Sequence, residues 1–293
     1  MIECVPNFSE GRDEARVRAI VEAIESAGVL LLGYESDEDH NRSVVTFAGP
    51  REAVIEGAIR GAGRAAELID LRQHEGVHPR VGAADVIPFV PLDGATMAEC
   101  VEGAHRAGRE IWERFGVPVY FYESAALDPG RRRLEKVRRR GFDGKPADVG
   151  DVAAHPRAGA SVVGARDFLI AFNVCLKTAD VAVAEKAARK IRESSGGFRF
   201  VKAMGRFLAS RGCAQVSMNL TNFRETDLDA VFGAIAEEAE VWSCQLVGFV
   251  PEKAYVMFRE FFERAENFDS SRVLEWRIKE LSGSRRPMNV NMK

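Results

Sequence analysis

The densest chemistry in this chain lies in His74-Glu75-Gly76-Val77-His78-Pro79-Arg80, which continues through Val81-Gly82-Ala83-Ala84-Asp85 into the apolar Val86-Ile87-Pro88-Phe89-Val90-Pro91. Two of the five histidines fall there, with a carboxylate and a guanidinium between and beside them. An imidazole that titrates near neutrality can take up and return a proton, and a guanidinium fork matches a carboxylate. Polar reactive groups on a loop, braced by a buried strand, form the arrangement a catalytic site needs.

The first five residues also spell H-E-x-x-H, the zinc-hydrolase pattern. That motif works on a helix, where histidines four apart share a face. Here Gly76 interrupts, and Pro79 pushes His78 out of the α region. The preceding helix is expected to end near Ile69, before His74. The zinc reading is therefore set aside, and no metal is expected.

The 293 residues suffice for two compact units with their own cores. With 46% apolar and 29% charged residues the composition is that of a globular protein. The net charge of −3 supplies no global field for nucleic acid or an anionic membrane. Five scattered cysteines, none in a C-x-x-C pair, suggest reduced thiols in a cytoplasmic protein. The start of the chain has no basic segment followed by an apolar core, so no signal peptide is expected, and the longest apolar runs are strand-sized.

The elements that must position the loop follow from periodicity. Residues 2–5 read as a strand, 13–27 as an amphipathic helix, 29–33 and 43–48 as strands, 51–69 as a helix and 86–90 as a strand. Between 33 and 43 lies the acidic stretch Tyr34-Glu35-Ser36-Asp37-Glu38-Asp39-His40-Asn41-Arg42. Thr96 and Glu99 form a capping box that opens a helix, and 117–122 is a strand. Residues 141–166 read as an ordered crossing loop. The pattern then restarts: strand 168–176, helix 180–193, helix 201–210, strand 215–220, helix 227–241, strand 246–250 and helix 252–263. The tail beyond Ser282 reads as frayed. The first half resembles a split βαβ unit with additions, and helices alternate with strands throughout. The reading is two stacked α/β units, an N-terminal one over 1–166 and a C-terminal one over 167–293.

The ordered blocks Glu3-Cys4-Val5-Pro6-Asn7-Phe8-Ser9-Glu10-Gly11, Asn41-Arg42-Ser43-Val44, His78-Pro79-Arg80, Gly164-Ala165-Arg166 and Ala214-Gln215-Val216-Ser217-Met218-Asn219-Leu220 resemble the glutamate formiminotransferases over nearly the whole chain. The resemblance implies an α/β (α+β) fold of two ferredoxin-like subdomains, mixed sheets with helices on their outer faces, and a homodimer. It implies transfer of a formimino group from N-formimino-L-glutamate to N5 of tetrahydrofolate, which is a co-substrate, with release of glutamate. In animals the transferase is fused to a cyclodeaminase.

Such a reaction needs a proton taken from N5, one returned to the leaving amine, and carboxylates held in place. The resemblance puts the catalytic histidine at His78; from the residues alone, catalysis and a structural hydrogen bond stand level. His74 reads as a structural or supporting group. The resemblance puts an assisting acid at Glu35, with Asp37 and Asp39 nearby in a loop that could equally be solvated. Asn41 and Arg42 are candidates to grip a substrate carboxylate, or Arg42 to close a structural ion pair. Folate-contacting segments map onto 150–159, with Gly150, Asp151, His155, Pro156, Arg157 and Gly159, and onto 196–205, with Gly196, Gly197, Arg199, Lys202 and Gly205. The second segment is expected to lead into a helix whose first amides face the glutamyl carboxylates. Ala147 and Val149 depart from the family pattern.

The basic run 131–140 reads as a solvated surface helix, with a field for polyglutamate tails as its functional alternative. Neither nucleic acid nor membrane is an expected partner. A folate-dependent formyltransferase acting on glutamate and a folate-binding protein without turnover are the rival readings.

Overall fold

The computed structural model describes residues 1–140, 146–151 and 153–284. Two sheets divide the chain. The first has seven strands: β1 (Ile2–Cys4), β2 (Asn7–Phe8), β3 (Leu30–Asp37), β4 (Arg42–Gly49), β5 (Ala84–Pro91), β6 (Val119–Glu123) and β7 (Ser161–Ala165). β1 lies between β4 and β5 and β3 lies outside β4, all antiparallel, which is the βαββαβ order of a ferredoxin-like unit. β7 and then β6 extend this sheet in parallel beyond β5.

Its helices α1 (Glu14–Glu25), α2 (Arg51–Leu68) and α3 (Met97–Phe115) cover one face. Their apolar stripes and the inward residues Phe8, Val45, Phe47, Ile87 and Phe89 form one continuous core. The expected capping box of α3 is present, with Thr96 and Glu99 closing on each other. A short α4 (Leu134–Arg140) packs instead near the other face of the sheet, beside Val86, Tyr120, Tyr122 and Val162.

The second sheet has β8 (Ile170–Leu176), β9 (Val201–Leu208), β10 (Cys213–Leu220) and β11 (Val241–Val247) in the order β11-β8-β10-β9. Again this is a ferredoxin-like unit, with α5 (Val181–Ile191) and α6 (Leu228–Ala236) as its crossovers. One face of this sheet, through Phe172, Val174, Val216, Met218 and Leu246, makes a second core with those helices. The chain then runs through α7 (Glu252–Met257) and α8 (Arg259–Glu263) into α9 (Leu274–Ser284), whose Leu274 packs back on Leu32 and Ala48 of the first sheet.

Several expectations are corrected. Residues 201–210 are not a helix: they are β9, paired with β10 from Val201↔Leu220 to Leu208↔Cys213. Val201, Met204 and Leu208 fit a helical stripe on paper, and only the neighbouring strand settles so short an apolar run. Gly205 also brings β9 so near α5 that a Cβ there would lie 2.4 Å from the Glu185 amide nitrogen. The loop expected over 141–166 contains β7, fully buried and central in the sheet; residues 141–145 and 152 lie outside the described residues, as does the chain after 284. The helix expected over 227–241 stops at Ala236, and its last residue opens β11, so the strand runs over Val241–Val247 instead of 246–250. The helix over 252–263 breaks at Phe258, which leaves the helical region with φ −134° and ψ 46°.

Candidate functional site

Both sheets leave one face uncovered by their crossover helices, and these faces meet. Across the seam Lys202 Nζ reaches Glu135 at 3.2 Å and Glu123 at 3.7 Å, Ser210 Oγ donates to Asp39, and Arg272 pairs with Glu35. In register, the second sheet presents Arg206, Gln215 and Cys175 in one row and Met204, Ser217, Asn173 and Gln245 in the next. The first sheet presents Arg42 and Asn7 from β4 and β2, joined at 3.0 Å through Arg42 Nε and Asn7 Oδ1.

The loop carrying His78 crosses the end of this seam. α2 ends at Leu68, and residues 74–80 have no helical turn, so His74 and His78 do not share a helix face as the zinc motif requires. The loop is locked to the stretch before β4. His74 Nε2 hydrogen-bonds the Asn41 carbonyl at 2.9 Å, Asn41 Nδ2 donates to the Glu75 carbonyl at 2.9 Å, and Val77 N donates to the Asp39 carbonyl at 3.1 Å. Gly76 makes this contact possible, because a Cβ there would lie 2.5 Å from the His40 carbonyl oxygen. Asn41 takes the left-handed conformation (φ 44°), which asparagine tolerates better than most residues. Its Oδ1 accepts from Gly11 N at 3.0 Å, so its whole amide serves to tie three loops together.

Asp85, fully buried at the start of β5, organises the charges. Oδ1 accepts from Val81 N at 2.5 Å and Oδ2 from Arg42 at 2.8 Å and Arg138 at 2.6 Å. Burial alone would raise this carboxyl, but the two guanidiniums and the loop amide outweigh it and hold it down at about 2. Two cations on one anion leave a net positive charge beside His78. His78 Nδ1 lies 2.8 Å from the Pro79 carbonyl oxygen, and its ring is 5.7 Å from that of His40. Burial, then Arg42, Arg138 and His40, depress its pKa to about 2, so the free site holds the imidazole neutral and disfavours its protonated form.

The other sequence-derived candidates fall in different places. Arg42 closes the ion pair that was one of its two readings. The carboxylate of Glu35 is held by Arg272 and by the Gly248 amide, in a half-open cavity of about 190 Å³ shared with Thr46 and Phe249; the structure aims it at the second subdomain. Segment 150–159 runs beside the His78 loop: Ala83 N donates to the Ala158 carbonyl at 2.9 Å, and Leu71 N to the Arg157 carbonyl at 2.9 Å. His155 Nδ1 accepts from Ala158 N at 3.0 Å, and Arg157 lies 3.5 Å from Asp70. Asp151 and Pro156 are exposed. Gly150 and Gly159 have positive φ, and a Cβ would strike Trp112 or the Val81 carbonyl, so both are fitted to protein neighbours.

In segment 196–205 the expected helix N-terminus is absent. Gly196 and Gly197 turn the chain out of α5, Arg199 is exposed beside Glu225, and Lys202 and Gly205 lie on β9. Lys202 is the member of this set brought to the seam. The basic run is not simply a solvated helix either. Arg131 is buried against Tyr120 and pairs with Asp148 at 2.8 Å, while Arg138 reaches Asp85.

Sequence reading passed over His40, Asp85, Arg138, Arg206 and Gln215. A signal existed for Gln215, since Gln215-Val216-Ser217-Met218-Asn219-Leu220 alternates polar and apolar, and the polar face is buried at Gln215, half-buried at Ser217 and exposed at Asn219. Buried atoms without a hydrogen-bond partner among the described residues include His40 Nε2, Arg138 Nε, Arg206 Nε and Gln215 Oε1. Such groups are rare in folded proteins; these four belong to residues at the seam, while others, such as Arg51 Nε on α2, lie elsewhere.

Two ferredoxin-like units joined along a polar seam, with the His78 loop at its end, define a two-subdomain α+β protein. Residues 1–166 match the formiminotransferase domain, N-terminal subdomain, and residues 171–281 match the formiminotransferase domain. The chain is 41% identical to a glutamate formimidoyltransferase of Thermoplasma acidophilum over 94% of its own length and 96% of that protein. It is also 41% identical to that of Streptococcus pyogenes serotype M1, over 92% and 95%. A formimidoyltransferase-cyclodeaminase of Dictyostelium discoideum is 40% identical over 91% of this chain, which spans 53% of that longer protein. The chain belongs to the formiminotransferase family.

Proposed function

We propose that this protein is a glutamate formimidoyltransferase, moving the formimino group of N-formimino-L-glutamate to N5 of tetrahydrofolate. The observation that carries the reading, within this family, is the placement of the His78 imidazole beside the buried Arg42–Asp85–Arg138 cluster. The donor is a dicarboxylate, and an excess guanidinium charge at low dielectric suits such a group. Each carboxylate that arrives offsets the field of Arg42 and Arg138, so substrate binding itself raises the basicity of His78. Unpartnered Nε atoms of Arg138 and Arg206 and Oε1 of Gln215 suit a polar co-substrate with donors and acceptors on its edge, as the pterin of tetrahydrofolate has.

His78 then acts as the base that takes the N5 proton and as the source of the proton for the leaving amine. Arg42 and Arg138 set the field for the substrate carboxylate, while Asn41 fixes the loop and Glu35 joins the two subdomains through Arg272. The folate-binding segments are 150–159, which braces the His78 loop, and 196–205, which contributes Lys202. The subdomains are divided between residues 166 and 167. The protein is a cytoplasmic homodimer without metal. No helix among the described residues is long and apolar enough to cross a membrane.

The test is turnover with tetrahydrofolate and either N-formimino- or N-formyl-L-glutamate, followed by absorbance of the N5-substituted folate. Efficient use of the formimino donor is expected. Preference for the formyl donor would make it a formyltransferase, and binding of folate without turnover of either would leave it a binding protein.

A further inference from the structure

The formimino transfer proposed above is proton-neutral overall. N5 forms a bond to the formimino carbon and loses a proton; the bond from that carbon to the α-nitrogen of glutamate breaks, and the α-nitrogen gains a proton. Between these events a proton must wait somewhere through the life of the tetrahedral adduct. His78 is an unfavourable place to keep it, because its imidazolium would face the guanidiniums of Arg42 and Arg138.

A second imidazole stands beside it. His40 is 7% exposed, its ring centroid is 5.7 Å from that of His78, and its Nε2 is buried with no hydrogen-bond partner among the described residues. That ring separation is within the span of one bridging water or one substrate nitrogen. The backbone around the His40 ring is held tightly. His40 N donates to Asp37 Oδ1 at 2.8 Å, its carbonyl abuts Gly76, and the hydrogen bonds from Asp39 and Asn41 to the 74–77 segment clamp the two histidine loops together.

The charges around the two rings differ. Burial disfavours a charge on the His40 ring and lowers its pKa; Asp37 and Asp39 of its own loop act the other way, and Arg42 from β4 and Arg206 from β9 add to the lowering. His78 faces Arg42, Arg138 and His40, with Asp85 as the one carboxylate in support. Arg42 opposes a proton on either ring, with Arg206 added at His40 and Arg138 at His78, so the rings differ in their carboxylates: Asp37 and Asp39 beside His40, Asp85 beside His78.

We propose that His40 is a proton-relay residue of the transfer, working through His78. It receives the N5 proton from His78, holds it while the adduct exists, and returns it through His78 as the α-nitrogen departs. The proton leaves N5 once and reaches the α-nitrogen once, so no other donor or oxidant is involved. This inference rests on the proposed formimino transfer; a wild-type protein that turns over neither donor defeats that reading first.

The experiment compares His40→Gln with wild type under saturation by both substrates. The expected result is a fall in kcat of about 10²-fold, at the low end for an acid–base group, with both KM values unchanged within about twofold. The solvent deuterium isotope effect on kcat should increase, because proton movement becomes the slow step. In His40→Ala, imidazole added to the buffer should restore part of the rate, which a role in packing does not predict. Should His40→Gln fail to fold, Asp39→Asn carries the test, since its amide oxygen still accepts from Ser210 while the charge beside His40 is gone. It should lower kcat at unchanged KM. The proposal is overturned if His40→Gln keeps a kcat and isotope effect like wild type. It is equally overturned if the variants raise both KM values and His40→Ala shows no imidazole rescue.

Discussion

The two faces that meet at the seam are built on opposite plans. The first subdomain offers a charged, prearranged end: Asp85, Arg42, Arg138 and the His78 loop are joined by short hydrogen bonds, and Asp85 has no exposure at all. The second offers amides, a serine, the Lys202 ammonium and the Arg206 guanidinium on strands, with Gln215 Oε1 and Arg206 Nε unpartnered among the described residues. A reacting end must be rigid and must carry its field before the substrate arrives, because reorganisation during reaction costs rate. A surface that only grips can leave polar atoms for the ligand to satisfy. On this division kcat is expected to respond to changes in the first face and KM to changes in the second.

The largest expected effect tests the charged face. His78→Ala should lower kcat by ~10²–10⁴ while leaving folate affinity nearly intact, because a base acts on the transition state and not on the bound ground state. His74→Ala in the same loop is the control; its ring braces Asn41, and it should affect melting temperature more than kcat. Near wild-type turnover by His78→Ala, with loss in His74→Ala, would reverse the assignment.

Asp85→Ala should be the most destabilising change at the seam. Removing one partner of a buried ion pair typically costs about 3–5 kcal/mol, and here two guanidiniums lose their shared carboxylate. The folded pKa of Asp85 lies below the ordinary carboxylate value, so its contribution is complete above about pH 4 and fades as the pH falls toward 2. Urea unfolding at pH 7 and at pH 3 checks both statements: the gap between wild type and variant should narrow at the lower pH.

A smaller effect sharpens the contrast from the other side. Gln215→Ala and Arg206→Ala should raise KM for tetrahydrofolate by about tenfold, the loss of one good hydrogen bond, with kcat within about threefold. Steady-state kinetics decide it, and a fall in kcat at constant KM would show that the second face also serves the chemistry.

The smallest effect concerns the first face away from His78. Glu3, on β1, is fully buried with one oxygen unpartnered; burial raises its pKa to about 7, Arg166 opposes that rise, and Glu275 adds to it. A raised folded pKa means that its contribution to stability is full below about pH 4.5 and is lost as the pH climbs through 7. Glu3→Gln should therefore melt higher than wild type at pH 8 and show no advantage at pH 5, by calorimetry.

Much of this was legible from residues alone because the signals were local. Pro79 and Gly76 excluded a helix at His78, Thr96 and Glu99 announced α3, apolar periodicity over 13–27 marked α1 and the alanine- and glycine-rich stretch 51–69 marked α2, each of which depends only on nearby residues. Family likeness picked out His78 and Arg42. Tertiary structure decided what depends on chain segments far apart. β9 became a strand because β10 and α5 lay against it, and β7 became a central strand because β5 and β6 left a place between them. Glu35 turned to Arg272 because the second subdomain brought a cation to it, and Arg138, in a run that looked like solvated surface, came to rest on Asp85. The meeting of His40 with His78 belongs to the same class: nothing in either stretch specifies the other, and only the close packing of Gly76 on the His40 backbone sets the two rings side by side.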